Sequence, residues 1–222
     1  MDGKSRLFIT VEGGEGCGKT TLMDKLVEAI AAKGLSVMKT REPGGCALSE
    51  HVREWVLRPD LDFTIGNRAE LFLFLAARAQ QVEELIAPAL DEGKVVICDR
   101  WNDSSVAYQG YGRGLDPKEV REVCLRATDG LEPTLTFFLD VEPNVGLVRS
   151  KGVAKEYAKE GQGDRVEEET EAFHERVRRG FMAIAAEEPD RLYTLDASQN
   201  QDAVFDEAWR IVDAKLRSMK ML

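Results

Sequence analysis

Two metal- and sulfur-bearing residue types are scarce. The 222 residues include four cysteines, Cys17, Cys46, Cys98 and Cys124, with no C-x-x-C pair, and two histidines, His51 and His174. That spacing suits neither a zinc cluster nor a disulfide scaffold, and a reducing cytoplasm fits it best. Long apolar runs are also missing. The longest, Leu71 to Ala77, is far short of the ~18 residues of a membrane span, and the opening MDGKSRLFIT lacks a signal-peptide core. Positive charge is in deficit, with 30 Lys and Arg against 40 Asp and Glu, a net charge of -10. Binding to polymeric nucleic acid needs many cationic contacts, so that class is disfavoured, while a small anion in a local basic pocket is not. The expectation is a soluble cytoplasmic protein with no membrane contact, folded as one domain over residues 1–222.

What is present is alternation. Short apolar runs at Leu7 to Val11, Ser36 to Thr40, Lys94 to Asp99, Leu135 to Val141 and Arg191 to Asp196 read as buried strands. Helical patterns separate them, at Thr20 to Lys33 and at about 47–67, 67–91, 103–127, 143–187 in two pieces, and 201–219. Strands alternating with amphipathic helices predict an α/β fold, a parallel sheet with helices on both faces. Ligands of such sheets sit at the carboxyl ends of the strands.

One such end carries VEGGEGCGKTTL, whose residues 13–20 match G-x-x-x-x-G-K-T between a predicted strand and a predicted helix. Gly13, Gly14, Gly16 and Gly18, with Glu15 and Cys17 between them, let backbone N–H groups converge on phosphate oxygens. The helix N-terminus at Thr20 and Thr21 adds partial positive charge. Lys19 would reach the β- and γ-phosphates of a nucleoside triphosphate, and the Thr20 hydroxyl would ligate Mg2+. Cys17, at a helix start, is either a reactive thiol or a small filler, and no partner base in the sequence supports the former. No Lys-x-Asp occurs, which weakens a guanine-nucleotide switch.

Arg41 and Arg100 follow strands, and Arg78 lies on a helix that could face the same crevice, which suggests a second anionic ligand. Asp99, closing a strand, stands where phosphate-loop enzymes keep an acidic residue near magnesium. Phe74 precedes Arg78 by one helical turn, so both can reach one pocket, although periodicity equally allows Phe74 in the core. His51 and His174 are solitary and receive no role.

Taken in order, GGEGCGKTT, TREPGG, LFLAAR, DRWNDSSVAYQGYGRG and DRVE closely resemble bacterial thymidylate kinases, from about Phe8 to at least Ala197. The resemblance implies a three-layer P-loop fold with a five-stranded parallel sheet, a homodimer, and transfer of the γ-phosphoryl group of Mg-ATP to dTMP. By that likeness Glu15 stands near the 3'-hydroxyl of dTMP, and Arg41 and Arg100 contact its phosphate. Phe74 stacks on thymine and Arg78 hydrogen-bonds it. Ser105 and Gln109 approach the base, Tyr108 crowds the 2' position, and LDASQN, 196 to 200 at its core, cradles adenine.

Some relatives carry a catalytic arginine inside the phosphate loop, but Gly16 and Cys17 follow Glu15 here. The cation is therefore expected from a short mobile lid at about 149–166, with Arg149 or Arg165 as the candidate and Lys151 in reserve. Three rivals stay open: another nucleotide or a deoxynucleoside as acceptor, a nucleotide-binding module or switch without catalysis, and, more remotely, a structural protein with a vestigial loop, which Lys19 followed by Thr20 disfavours.

Overall fold

The computed structural model describes residues 6–150 and 164–222. Residues 151–163, which hold most of the expected lid including Lys151, lie outside them. The five strands are β1 (Phe8–Gly13), β2 (Val37–Arg41), β3 (Val95–Asp99), β4 (Leu135–Asp140) and β5 (Leu192–Asp196). They form one sheet in the order β2-β3-β1-β4-β5, and every neighbouring pair is parallel. The predicted α/β class and parallel sheet hold, and each strand lies within two residues of its predicted bounds.

The period-two alternation of side chains along a strand divides the core. Ile9, Val11, Ile97 and Phe137 meet Leu22, Leu26 and Ile30 of α1 (Lys19–Ala32), and the same cluster takes in buried residues from the C-terminal end of the chain. Phe8, Val96 and Cys98 face the other way, against Val82, Ile86 and Trp101. Trp101 is wholly buried, its ring edge-on to Phe8 at 5.0 Å. Truncating a side chain as buried as Ile30 would cost about 2–5 kcal/mol.

The helices after β2 depart from the predicted spans. The helix expected over 47–67 stops early: α2 runs Ala47–Leu57, because Pro59 removes a donor and forces Arg58 out of helical geometry (ψ 123°). Next come α3 (Asn67–Gln81), a π-helical turn at Val82–Ile86, and α4 (Ala87–Asp91). The span expected over 103–127 divides into α5 (Asn102–Ser105), a π-helical segment Val106–Gly112, and α6 (Pro117–Ala127). Asp116 caps α6 by accepting from the Lys118 N–H, with Pro117 at its first position. The remaining helices are α7 (Pro143–Ser150), α8 (Glu171–Glu187) and α9 (Gln201–Ser218). Val204, Ala208, Val212 and Leu216 of α9 supply the C-terminal share of the first cluster.

Candidate active site

The carboxyl ends of the strands open into one cleft of about 970 Å³. Its floor is the loop from Gly13 to Thr20. Gly13, Gly16 and Gly18 have φ of 142°, 64° and 97°, values that side chains resist. Close approach adds a second constraint. A Cβ on Gly13 would lie 2.7 Å from the Leu139 carbonyl oxygen and 2.8 Å from Cys17 Sγ, and one on Gly16 would lie 2.1 Å from the Gly146 carbonyl oxygen. Gly18 caps α1 without a side-chain bond, so the first N–H groups of the helix stay open to an anion. Lys19 folds over the loop, its Nζ donating to the carbonyls of Gly14 (3.0 Å) and Gly13 (3.4 Å). Cys17 is buried, and burial pushes its thiol above the ordinary range, which matches the filler reading rather than a nucleophile.

Arg100, directly after β3, adopts φ 70°, a left-handed conformation costing a side-chain-bearing residue about 1–2 kcal/mol. That turn carries its guanidinium over the cleft. Nη2 donates to Glu15 Oε1 at 2.6 Å, Nη1 donates to Ser104 Oγ at 3.3 Å, and the group lies 5.0 Å above the Tyr108 ring. Tyr108 packs against Phe173 and Phe181, and burial pushes its phenol up to about 12, so it stays neutral. Asp99 Oδ1 is buried without a hydrogen-bond partner, and the exposed Thr20 lines the same cleft. Among the described residues no three His, Cys, Asp or Glu side chains form a metal cluster. One carboxylate and one hydroxyl fit a hard cation that takes its other ligands from phosphate and water.

On the β2 side, Arg41 pairs with Glu50 at 3.1 Å, and Arg53 Nη1 donates to the Pro43 carbonyl at 3.0 Å. The Gln81 amide nitrogen donates to Thr40 Oγ1, the Arg41 carbonyl and the Gly44 carbonyl, which fixes the loop after β2. Deeper in, Arg78 is 1% exposed and lines the cleft, donating to Glu42 (2.5 Å), Asn102 (3.0 Å) and Ser105 Oγ (2.9 Å). Phe74 serves in both ways the periodicity allowed, packing on Val52, Val56 and Ala77 while lining the cleft. Gln109, in the π-helical segment, donates to Glu70 of α3 at 2.9 Å.

The two arginines expected at the lid part company. Arg149, at the end of α7, lines the cleft and donates to the Ala197 carbonyl at 2.9 Å. Arg165 turns instead to the Val56 carbonyl (2.8 Å) and to Glu70, away from the cleft lining. Ala197, Gln199 and Asn200 line the end of the cleft beside Arg149.

Besides Glu42, buried acids without an assignment from the sequence include Glu12, Asp103 and Glu70. Glu12 accepts from the Trp101 N–H at 2.7 Å and from Ser104 Oγ at 2.5 Å; burial, then the nearby Asp103 charge, raises its carboxyl to about 8. Asp103 takes both terminal nitrogens of Arg191, at 2.7 and 3.0 Å, below a Thr10–Thr136 hydroxyl pair at 2.7 Å. Glu70 gathers Gln109, Arg113 and Arg165. Glu12 does leave a sequence signal, a lone charge inside an apolar run next to the glycine loop. Glu70 leaves another, since it precedes Phe74 and Arg78 by one and two helical turns.

The chain that builds this cleft is similar to known proteins along nearly its whole length. The family model described as thymidylate kinase matches residues 11–208. A thymidylate kinase of Protochlamydia amoebophila is 48% identical, over 93% of this chain and 92% of its own length. One from Synechococcus sp. (strain JA-3-3Ab) is 47% identical, over 95% and 97%. The crystal structure of thymidylate kinase from Ehrlichia chaffeensis superposes with a TM-score of 0.72 at 31% identity, over 93% of this chain and 98% of that one. With more than half of the chain inside the family model and relatives matched along nearly their whole length, the chain belongs to the thymidylate kinase family.

Proposed function

We propose that the chain, acting as a single domain, transfers the γ-phosphoryl group of ATP to dTMP, giving dTDP and ADP. The observation that carries this reading is the shared cleft: the glycine loop with Lys19 and the Arg100–Glu15 pair open into the same space. Gly13 to Thr21 hold the triphosphate, and Lys19 leaves its carbonyl partners to meet the β- and γ-oxygens. Arg41 and Arg100 hold the phosphate of dTMP. Glu15, on the same loop, takes the sugar hydroxyl while its ion pair keeps Arg100 in place.

Phe74, Arg78, Ser105 and Gln109 receive the base, and Tyr108 closes the 2' side. Thr20 and Asp99 would hold Mg2+, which neutralises phosphate charge when bound. The attacking atom is a phosphate oxygen that is already ionised, so no general base is required. Of the two lid arginines among the described residues, Arg149 is the one that lines the cleft, and it is the candidate to meet the transferred group.

A homodimer is supported by apolar side chains left exposed on α2 and α3, with Trp55 51% and Phe72 60% exposed. A cytoplasmic location is supported by four buried, unbridged cysteines, and no described helix is long and apolar enough to cross a membrane. The test is coupled ADP release with Mg-ATP and dTMP, dUMP, UMP, CMP or AMP offered separately. dTMP should be used best, and the absence of dTMP-dependent ADP would sink the reading. Arg149→Ala should lower turnover at saturating ATP at least tenfold; an unchanged rate removes Arg149 from the chemistry.

A further inference from the structure

Glu70 is 1% exposed, yet four N–H groups converge on its carboxylate. Oε1 accepts from Gln109 Nε2 at 2.9 Å and Arg113 Nε at 3.2 Å, and Oε2 accepts from Arg113 Nη2 at 3.3 Å and from Arg165. Burial alone would favour the neutral acid, but the two guanidiniums and the Gln109 amide outweigh it and hold the group below its ordinary range. An ionised carboxylate only accepts hydrogen bonds. Gln109 must therefore turn its NH2 toward Glu70, and the orientation of its amide is dictated by chemistry rather than chosen between look-alike atoms.

The amide oxygen of Gln109 is then the atom left for the cleft, which Gln109 lines together with Phe74, Arg78 and Ser105. An oxygen there accepts from a ring N–H and confronts a ring nitrogen lone pair. Thymine and uracil carry an N–H at N3; cytosine carries a lone pair at the same place. A buried acceptor opposed by a second acceptor is left unsatisfied, which is how a hydrogen-bonding site rejects a near-isostere.

We infer that Glu70 is a specificity-positioning residue: by accepting from Gln109 it presents the amide oxygen to the acceptor base and selects pyrimidines with a ring N–H over cytosine. The inference rests on the dTMP-kinase reading above. Glu70 touches no substrate and acts through Gln109. In Glu70→Gln the new amide can donate to the Gln109 oxygen, which frees the NH2 to face the cleft.

The test is competition between dTMP and dCMP for the full chain with Mg-ATP, read as the ratio of their kcat/KM values. That ratio does not depend on the fraction of protein that is folded. Glu70→Gln should lower the preference for dTMP about tenfold. In a Gln109→Leu background the same substitution should leave the ratio within twofold. Should Glu70→Gln fail to fold once the charge facing Arg113 and Arg165 is gone, Glu70→Asp keeps the charge but withdraws it by one methylene, and it should lower the preference at least threefold. A fall short of threefold in the folded variant, or an equal effect in the Gln109→Leu background, overturns the inference. Wild-type protein that phosphorylates no dTMP at all would instead overturn the functional reading, so the two failures are distinguishable.

Discussion

Arg100 Nη2 and Glu15 Oε1 lie 2.6 Å apart, joining the residue after β3 to the middle of the phosphate loop. The pair is only partly exposed, at 18% and 21% of the two side chains, so its attraction is screened less than that of a surface salt bridge. It links the wall that would hold the donor to the wall that would hold the acceptor. A left-handed backbone at Arg100 persists because the surroundings fix it, with its N–H donating to the Val11 carbonyl at 3.0 Å.

Arg100→Ala should therefore lower kcat/KM for dTMP at least 100-fold, roughly 2.7 kcal/mol of transition-state stabilisation. Glu15→Gln keeps the shape but loses the charge, and should cost about tenfold, mostly in KM for dTMP. Steady-state kinetics at saturating Mg-ATP check both. A wild-type rate for Arg100→Ala would remove that residue from the site.

Glu12 predicts a pH dependence of stability. Its carboxyl titrates near 8 in the fold, against 4.5 ordinarily, because it is buried and close to Asp103. Between those values the unfolded chain has released this proton and the folded chain has kept it. Stability from this group is whole below pH 4.5 and is lost as pH rises toward 8. Glu12→Gln has no proton to lose, and its amide can still accept from the Trp101 N–H and donate to Ser104. Thermal melts at about pH 6 and pH 8 should show the variant gaining on the wild type by roughly 5–9 °C at the higher pH. Parallel curves would contradict this.

Asp99 should report the cation. Asp99→Asn keeps the size of the group but removes the charge, so half-maximal activity should need at least tenfold more Mg2+, with little change in melting temperature. A titration of Mg2+ at fixed ATP measures it; an unchanged requirement would place the ion elsewhere.

Trp55 and Phe72 test the dimer. Replacing both with Glu puts charge into an apolar contact, and light scattering should find a monomer where the wild type gives a dimer. A monomeric wild type would end the proposal.

Strands and the glycine loop were legible in sequence because their signals are local. Apolar runs such as VVIC need two covered faces, and G-x-x-x-x-G-K-T is one continuous turn. Pro59 was equally local, yet the periodic apolar residues around it hid the stop at Leu57. The π-helical turns were not legible, since i to i+5 bonding leaves no spacing distinct from an α-helix over so few residues. The destinations of Arg78 and Arg165 were hidden for a different reason. Arg78 lines the cleft as expected and Arg165 does not, and the partners that fix the two guanidiniums, Glu42 and Glu70, stand 36 and 95 residues away.

Gly16 and Gly146 meet backbone to backbone: a methyl on the first would strike the carbonyl of the second, and a methyl on Gly146 would come within 2.3 Å of the Glu15 oxygen. The phosphate loop and α7 are thus keyed together with no side chain to cushion them, and Arg149 stands three residues beyond that contact. Any shift of the loop as it wraps a triphosphate must be felt at once by the helix, so grip on the nucleotide and placement of the arginine become a single mechanical event.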